Sequence, residues 1–429
     1  MFYTEKERKI NAVKTDVLIV GSGPAGIGAA ISASRLGVKV TVVEKNGCLG
    51  GISTAGMMSH WTGDCDSNVY REILRESASL NEGAFKNKIT ATIDTEKLKY
   101  QYLKTLYEAG VEIMLYTFAG EPITESGTVK GVVVENKSGR TAIFADVTID
   151  ASGDGDVAAK AGVPFVTGRE EDGKMQPATL MFKVGGVDKS IAVLPHMFEC
   201  SNMTEKGEIQ TLAKKILPYP AGHVLLYDTT LPGTITVNMT NAVDIDGTKN
   251  EDLVKAEITC RGQIDKIIAF LREYVPGFDK CYLSGTASLI GIRETRHFRG
   301  KYTLTGEDIT QAKIFDDWIV KGACFNFDIH NVSGSGLDRN GKQKDFPINL
   351  RYTIPYRCFL PEKIKGLLLC GRNISGTHLA HSNFRVMPIC VGMGEGCGAA
   401  AAYAVKYKTD LNDVNLEKVQ KYLMDGSIF

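Results

Sequence analysis

The sequence predicts an α/β protein whose parallel sheet is built from both ends of the chain, with an α+β unit inserted between them. Three observations predict it. Residues 16–20 (DVLIV), an Ala-rich stretch over 24–36 and residues 38–43 (VKVTVV) form one β-α-β unit, punctuated by Gly21 and Gly37. Beyond residue 350 the chain turns Gly/Ala-rich again, with an apolar run at 366–370 (GLLLC) and a small-residue helical stretch at 389–406. Between these, residues 166–350 are polar, with scattered strands. The expected division is one discontinuous domain, 1–165 plus 351–429, and a second domain over 166–350.

Each element has its own signal. An unbroken apolar run such as 16–20 suits a strand covered on both faces. Residues 94–109 have amphipathic helical spacing and stop at Gly110, and 111–116 reads as a strand. Residues 129–135 and 140–144 flank Asn-Lys-Ser-Gly and read as a hairpin, with 147–150 as a separate short strand. Residues 250–274 form the one long helix of the insert.

Composition excludes several classes. The 429 residues carry 50 Lys+Arg and 50 Asp+Glu, so no overall charge favours nucleic acid or an anionic membrane. None of the ten cysteines forms a C-x-x-C pair, which removes the usual signal for a zinc ribbon, an iron–sulfur cluster or a redox dithiol. Reduced, mostly buried thiols in a cytoplasmic protein are expected instead. No His, Cys and carboxylate residues fall at metal-ligand spacing, so no metal is expected. The N-terminal stretch is charged, and the apolar run over 391–405 contains Glu395 and falls short of the ~20 residues a bilayer needs. A soluble protein follows as the expectation.

The strongest local motif is Gly21-Ser22-Gly23-Pro24-Ala25-Gly26, between a strand and a helix. Gly21 permits the tight turn, Gly23 lets backbone approach a pyrophosphate, and Gly26 lets the helix pack on the sheet. Glu44 closes the second strand, where a carboxylate can accept from ribose hydroxyls. These residues point to a dinucleotide, NAD or FAD.

Further motifs carry a resemblance. Residues 47–56 (GCLGGISTAG), 148–156 (TIDASGDGD), 291–296 (GIRETR), 354–358 (IPYRC), 369–378 (LCGRNISGTH) and 384–388 (FRVMP) occur in this order. Together they resemble FAD-dependent oxidoreductases with a glutathione-reductase-like FAD fold, with Ser152 standing where Thr is commoner. The resemblance implies a Rossmann-like FAD domain with an inserted substrate or cap domain, and FAD as cofactor. It implies that Lys45, Gly50 and Gly51, with Ser53 and Thr54 in the same loop, lie along the adenosine ribose and diphosphate. Ala151, Gly153 and Asp154 then approach the diphosphate or ribityl chain, as do Gly371 and Arg372. Arg385, Val386 and Pro388 enter a helix aimed at the isoalloxazine N1–C2=O edge, where helix N–H groups stabilise reduced flavin.

Candidate catalytic residues follow. His378 is expected to exchange a proton with the substrate, and Arg385 to clamp a carboxylate or polarise a carbonyl. His381 reads as structural. His60, beside Trp61, is a candidate for the flavin's substrate face, and Arg293 and Arg296 share a face if their segment is helical. Cys48, Cys358 and Cys370 lie inside motifs but have no sequence partner for a catalytic disulfide. The expected activity is hydride transfer between a small organic substrate and flavin N5. A non-catalytic flavoprotein and the flavin subunit of an electron-transfer complex are the alternatives, and a homo-oligomer stays open.

Overall fold

The computed structural model describes residue 7 and residues 9–77, 90–342 and 350–429. Its main sheet has seven strands. Strand β1 (Asn11–Val20) lies between β2 (Val40–Val43) and β3 (Gly139–Asp150), parallel to both. Glu112–Met114 extends the sheet beyond β2, and Leu367–Leu369, from the far end of the chain, pairs in parallel with the last residues of β3. Thr128–Asn136 and Phe118–Glu125 close the other edge as antiparallel strands.

Two strands are longer than the apolar runs suggest. Only the second half of β1 is buried, yet Asn11–Thr15 still pairs with Thr141–Ala145, because ladder hydrogen bonds do not require apolar side chains. Likewise 140–144 and 147–150 are not separate strands. Ala145 and Asp146 continue one 12-residue strand, which pairs with the antiparallel edge through its first half and with Leu367–Leu369 at its end.

Helix α1 (Pro24–Arg35) returns the chain from β1 to β2 and packs against α2 (Met387–Tyr407). At Gly28, Gly394 and Gly398 the crossing has no room for a side chain. A Cβ on Gly394 would overlap the Ala25 carbonyl oxygen, one on Gly398 the Ala29 carbonyl oxygen, and one on Gly28 the Val391 carbonyl oxygen. Ser32 Oγ donates to the Glu395 carbonyl oxygen at 2.8 Å, and the buried Glu395 carboxylate accepts from Ser67 Oγ at 2.5 Å.

The insert carries a four-stranded antiparallel sheet, Leu226–Asp228, Ile235–Val237, Phe182–Gly185 and Tyr282–Thr286, with Asn250–Tyr274 as its long helix. Its separate apolar core runs from Ala178 to Ile290, whereas Phe298, Leu304, Phe315 and Phe327 pack into the first core. All ten cysteines are free thiols and most are buried. Among the described residues no helix is long and apolar enough to cross a membrane.

Inserting methyl groups into backbone contact distorts both helices, typically at 1–3 kcal/mol and more where neither side can give. Gly394→Val should therefore destabilise the fold by about 3 kcal/mol or more. A thermal melt checks this, and a midpoint equal to that of the wild type would contradict the crossing described.

Candidate active site

The register of the parallel strands fixes the site. Val20 is level with Val43 and Asp150, so β1, β2 and β3 end together. Gly21 leaves β1 at φ +92°, a conformation that favours glycine, and a Cβ there would also run into the Ala151 backbone. Gly23 is the N-cap of α1, with Pro24 at its start; a Cβ on Gly23 would meet nothing within 4 Å. Bare backbone and the free N–H groups of a helix N-terminus thus face open space, which is the geometry an anionic diphosphate requires.

Glu44 is buried and already organises this mouth. Its Oε2 accepts from the Ser22 N–H (2.9 Å) and hydroxyl (2.6 Å), and its Oε1 from the Asn46 N–H (2.9 Å) and side-chain amide (2.6 Å). Asp154 Oδ1 accepts from Thr295 Oγ1 at 2.7 Å and from Arg372 Nη2 at 2.5 Å, while Arg372 Nε donates to the Gly153 carbonyl oxygen.

These groups line one end of a cavity of about 1360 Å³. That exceeds the roughly 300–1,000 Å³ of an ordinary small-molecule site and leaves room for a dinucleotide and a second molecule. Gly21, Gly23, Pro24, Ala25, Glu44, Lys45, Gly51, Ala151, Gly153, Asp154, Gly371, Arg372 and Val386 all line it, as do His60, Arg293 and Arg385.

Six expected site residues do not line it. Gly26 faces the Gly21 carbonyl, where it permits close helix packing. Gly50 donates its N–H to the Ser22 carbonyl oxygen, and the Ser53 and Thr54 hydroxyls donate to the Gly50 and Leu49 carbonyl oxygens, so these three shape their own loop. Pro388 is buried, its carbonyl oxygen accepting from Cys65 Sγ.

His378 is the sixth. Its Nδ1 donates to Glu294 Oε1 at 2.5 Å, and His297 Nε2 reaches the same oxygen at 2.8 Å. Glu294 Oε2 accepts from the Gln176 N–H. Burial works against the Glu294 carboxylate, but hydrogen bonds from the two imidazoles outweigh it and hold the group well below the usual range. Burial likewise opposes the His378 imidazolium, and Glu294 outweighs it, so its pKa is raised. The ligand atoms of these three residues lie within 4.8 Å of one another, a grouping the sequence spacing did not disclose. Two of the spacings, at 2.5 and 2.8 Å, are those of hydrogen bonds. Ligands sharing one zinc at about 2.0–2.1 Å in tetrahedral geometry sit wider apart.

Arg293 and Arg296 also part company, because residues 291–295 are not helical and Arg296 starts a strand paired with Phe165–Thr167. Arg296 binds Asp156 and the Asp154 carbonyl oxygen, whereas Arg293 enters the cavity.

The far end of the cavity holds groups that sequence reasoning missed. Arg385 Nη2 donates to Asp328, at 2.8 Å to its carbonyl oxygen and 3.0 Å to its carboxylate, and His330 lies 3.5 Å from that carboxylate. Burial opposes the Asp328 charge, but His330 and the two guanidiniums hold it well below the carboxylate range. Burial, assisted by the Arg385 charge, pushes Arg293 down to about 10, so it stays protonated at neutral pH. Burial lowers His60 and His330 to about 4 and raises Tyr227 to about 12, leaving all three neutral there. The His60 ring stacks on Tyr227, centroids 4.6 Å apart. The D-x-H spacing of Asp328 and His330 was the available signal, but nothing in the local sequence linked it to Arg385.

A glycine-lined anion cradle at the carboxyl ends of a parallel sheet, opening into a second polar chamber, defines a dinucleotide-dependent α/β enzyme. The chain belongs to the FAD dependent oxidoreductases, whose family model matches residues 16–423, and FAD is its cofactor. A digeranylgeranylglycerophospholipid reductase of Methanoculleus marisnigri is 26% identical over 176 residues, which are 35% of this chain and 42% of that one. A thiamine thiazole synthase of Aeropyrum pernix is 29% identical over 143 residues, 31% of this chain and 47% of that one. The chain thus spans less than half the length of these curated relatives. A geranylgeranyl bacteriochlorophyll reductase-like protein of Thermoplasma acidophilum shares the fold, with TM-score 0.53 and 14% identity over 97% of this chain and 85% of that one.

Two outcomes test the site. Gly23→Val should give folded protein without FAD, because the added Cβ enters the cradle and has no protein atom within 4 Å; full flavin absorbance after purification would contradict it. The second concerns pH. A raised His378 pKa means its bond to Glu294 contributes fully below the ordinary value of about 6.5 and is lost as pH rises through the folded value. The gap in melting midpoint between wild type and His378→Asn should therefore narrow between about pH 6 and pH 9. A gap constant over that range would contradict the pairing.

Proposed function

We propose that this chain transfers a hydride between a small organic substrate and N5 of FAD. The observation that carries the reading is the single cavity that joins the glycine cradle to the chamber of His60, Arg293 and Arg385. Bound FAD would supply N5 as the partner for an electron pair travelling with hydrogen. Gly21, Gly23, Pro24, Ala25, Glu44, Lys45 and Gly51 would hold its adenosine and diphosphate, and Ala151, Gly153, Asp154, Gly371 and Arg372 the diphosphate and ribityl chain. Val386 and Met387, at the start of α2, line the cavity where helix N–H groups would meet the isoalloxazine.

On the substrate side, Arg385 is anchored by Asp328, which fixes its guanidinium for positioning a polar group. His60, uncharged at neutral pH, is available to take the proton that accompanies loss of a hydride from a hydroxyl- or amine-bearing carbon. Tyr227 stacks on the His60 ring, and apolar side chains line the adjoining wall.

The test is anaerobic bleaching of the flavin by a panel of small reduced substrates, repeated with deuterium at the transferred position. A primary isotope effect on bleaching supports the reading; a flavin that chemical reductants bleach but no substrate of the panel does would count against it. Arg385→Lys keeps the charge but loses the planar fork. It should raise the substrate KM about tenfold or more while FAD stays bound, and loss of FAD in this variant would reassign Arg385 to the cofactor.

A further inference from the structure

Among the described residues, the substrate chamber is not electrically balanced. Arg293 and Arg385 are both nine-tenths or so withdrawn from water, and both face the single buried carboxylate of Asp328. Asp328 is engaged by Arg385 and His330. His60, His330 and Tyr227 add no charge at neutral pH. The other carboxylates on that side have cations of their own: Asp228 lies 2.6 Å from Lys189, and Glu257 2.6 Å from Arg261.

Arg293 is the unmatched cation. Among the described residues its guanidinium makes one hydrogen bond, Nη1 to the Pro177 carbonyl oxygen at 2.6 Å, and no ion pair. Nearby, among the described residues, the buried Nε of Arg385 has no hydrogen-bond partner. A buried guanidinium with most of its N–H groups unused is costly unless something anionic completes it. Its planar edge matches the two oxygens of a carboxylate, and one surplus positive charge matches one negative charge. The adjoining walls are apolar, formed by Met181, Leu194, Phe198 and Leu225.

We infer that the substrate is a monocarboxylate with an apolar body, its carboxylate seated on the free edge of Arg293 and its hydrocarbon part against Met181, Leu194, Phe198 and Leu225. The inference rests on the reading of this chamber as the substrate side of the flavin. Arg385 orients the bound acid, and Arg293 discriminates it from neutral analogues of the same shape.

The experiment uses the FAD-loaded enzyme at neutral pH, titrated with acetate, benzoate and octanoate while the flavin absorption band is followed. Benzamide serves as the neutral match for benzoate. Benzoate and octanoate should shift the band saturably, acetate more weakly, and benzamide about 10- to 100-fold more weakly than benzoate. Arg293→Met should weaken benzoate by a similar factor with FAD content unchanged, and Arg293→Lys should restore part of the loss. Benzamide binding as tightly as benzoate, no shift with any acid, or unaltered benzoate binding in Arg293→Met would each overturn the inference. Loss of FAD from Arg293→Lys would overturn it too, by assigning the guanidinium to the cofactor. The benzamide comparison needs only the wild-type protein, so the question stays decidable if a variant fails to fold. Substrate-driven bleaching without carboxylate binding would sink the carboxylate and leave hydride transfer standing. An enzyme that binds acids but is bleached by no substrate would do the reverse.

Discussion

The site depends on three strands ending at one level. Parallel pairing sets Val20 beside Val43 and Asp150, and the chain must then leave the sheet three times within a few ångströms. Gly21 meets this by turning through positive φ against the Ala151 backbone, and Glu44 meets it by tying Ser22 and Asn46 to one carboxylate. A register slip of one residue in β1 would carry every side chain to the opposite face and dismantle all three exits together.

Beyond the cradle, charge decides what the chamber can hold. Two arginines converge from distant segments on Asp328, and among the described residues only Arg385 forms an ion pair with it. The buried Glu294 carboxylate is shared by His297 and His378. Glu294 directly follows Arg293, so fastening it through His297, His378 and the Gln176 N–H fixes where the preceding guanidinium emerges into the cavity. His378 itself does not line the cavity.

The β-α-β unit and the glycine turn were legible in the sequence because their signals are local. A glycine turn, an apolar run and a helix stop each depend on neighbours within a few residues, and the β-α-β unit and the helix at Asn250–Tyr274 were read closely. The chamber was not legible, since its residues come from separate segments whose polar spacing follows no helix or strand period. Arg385 and Asp328 are 57 positions apart, and His378 and Glu294 are 84 apart. Arg293 and Arg296 were paired on the assumption of a helix that the backbone does not form. The resemblance placed Ser53 and Thr54 along the dinucleotide, while in the structure their hydroxyls donate to the Gly50 and Leu49 carbonyl oxygens.

The crossing of α1 and α2 imposes a restriction of another kind. At Gly28, Gly394 and Gly398 the obstacle is the first side-chain carbon, and each would strike backbone oxygen, which cannot swing aside as a rotamer can. Every replacement coded in the genetic alphabet, alanine included, brings that carbon. These positions therefore cannot drift by small steps, and a chain that altered one would need a matching shift of the opposite helix at the same moment. The surface of the insert is free to vary residue by residue, while this seam can change only as a unit.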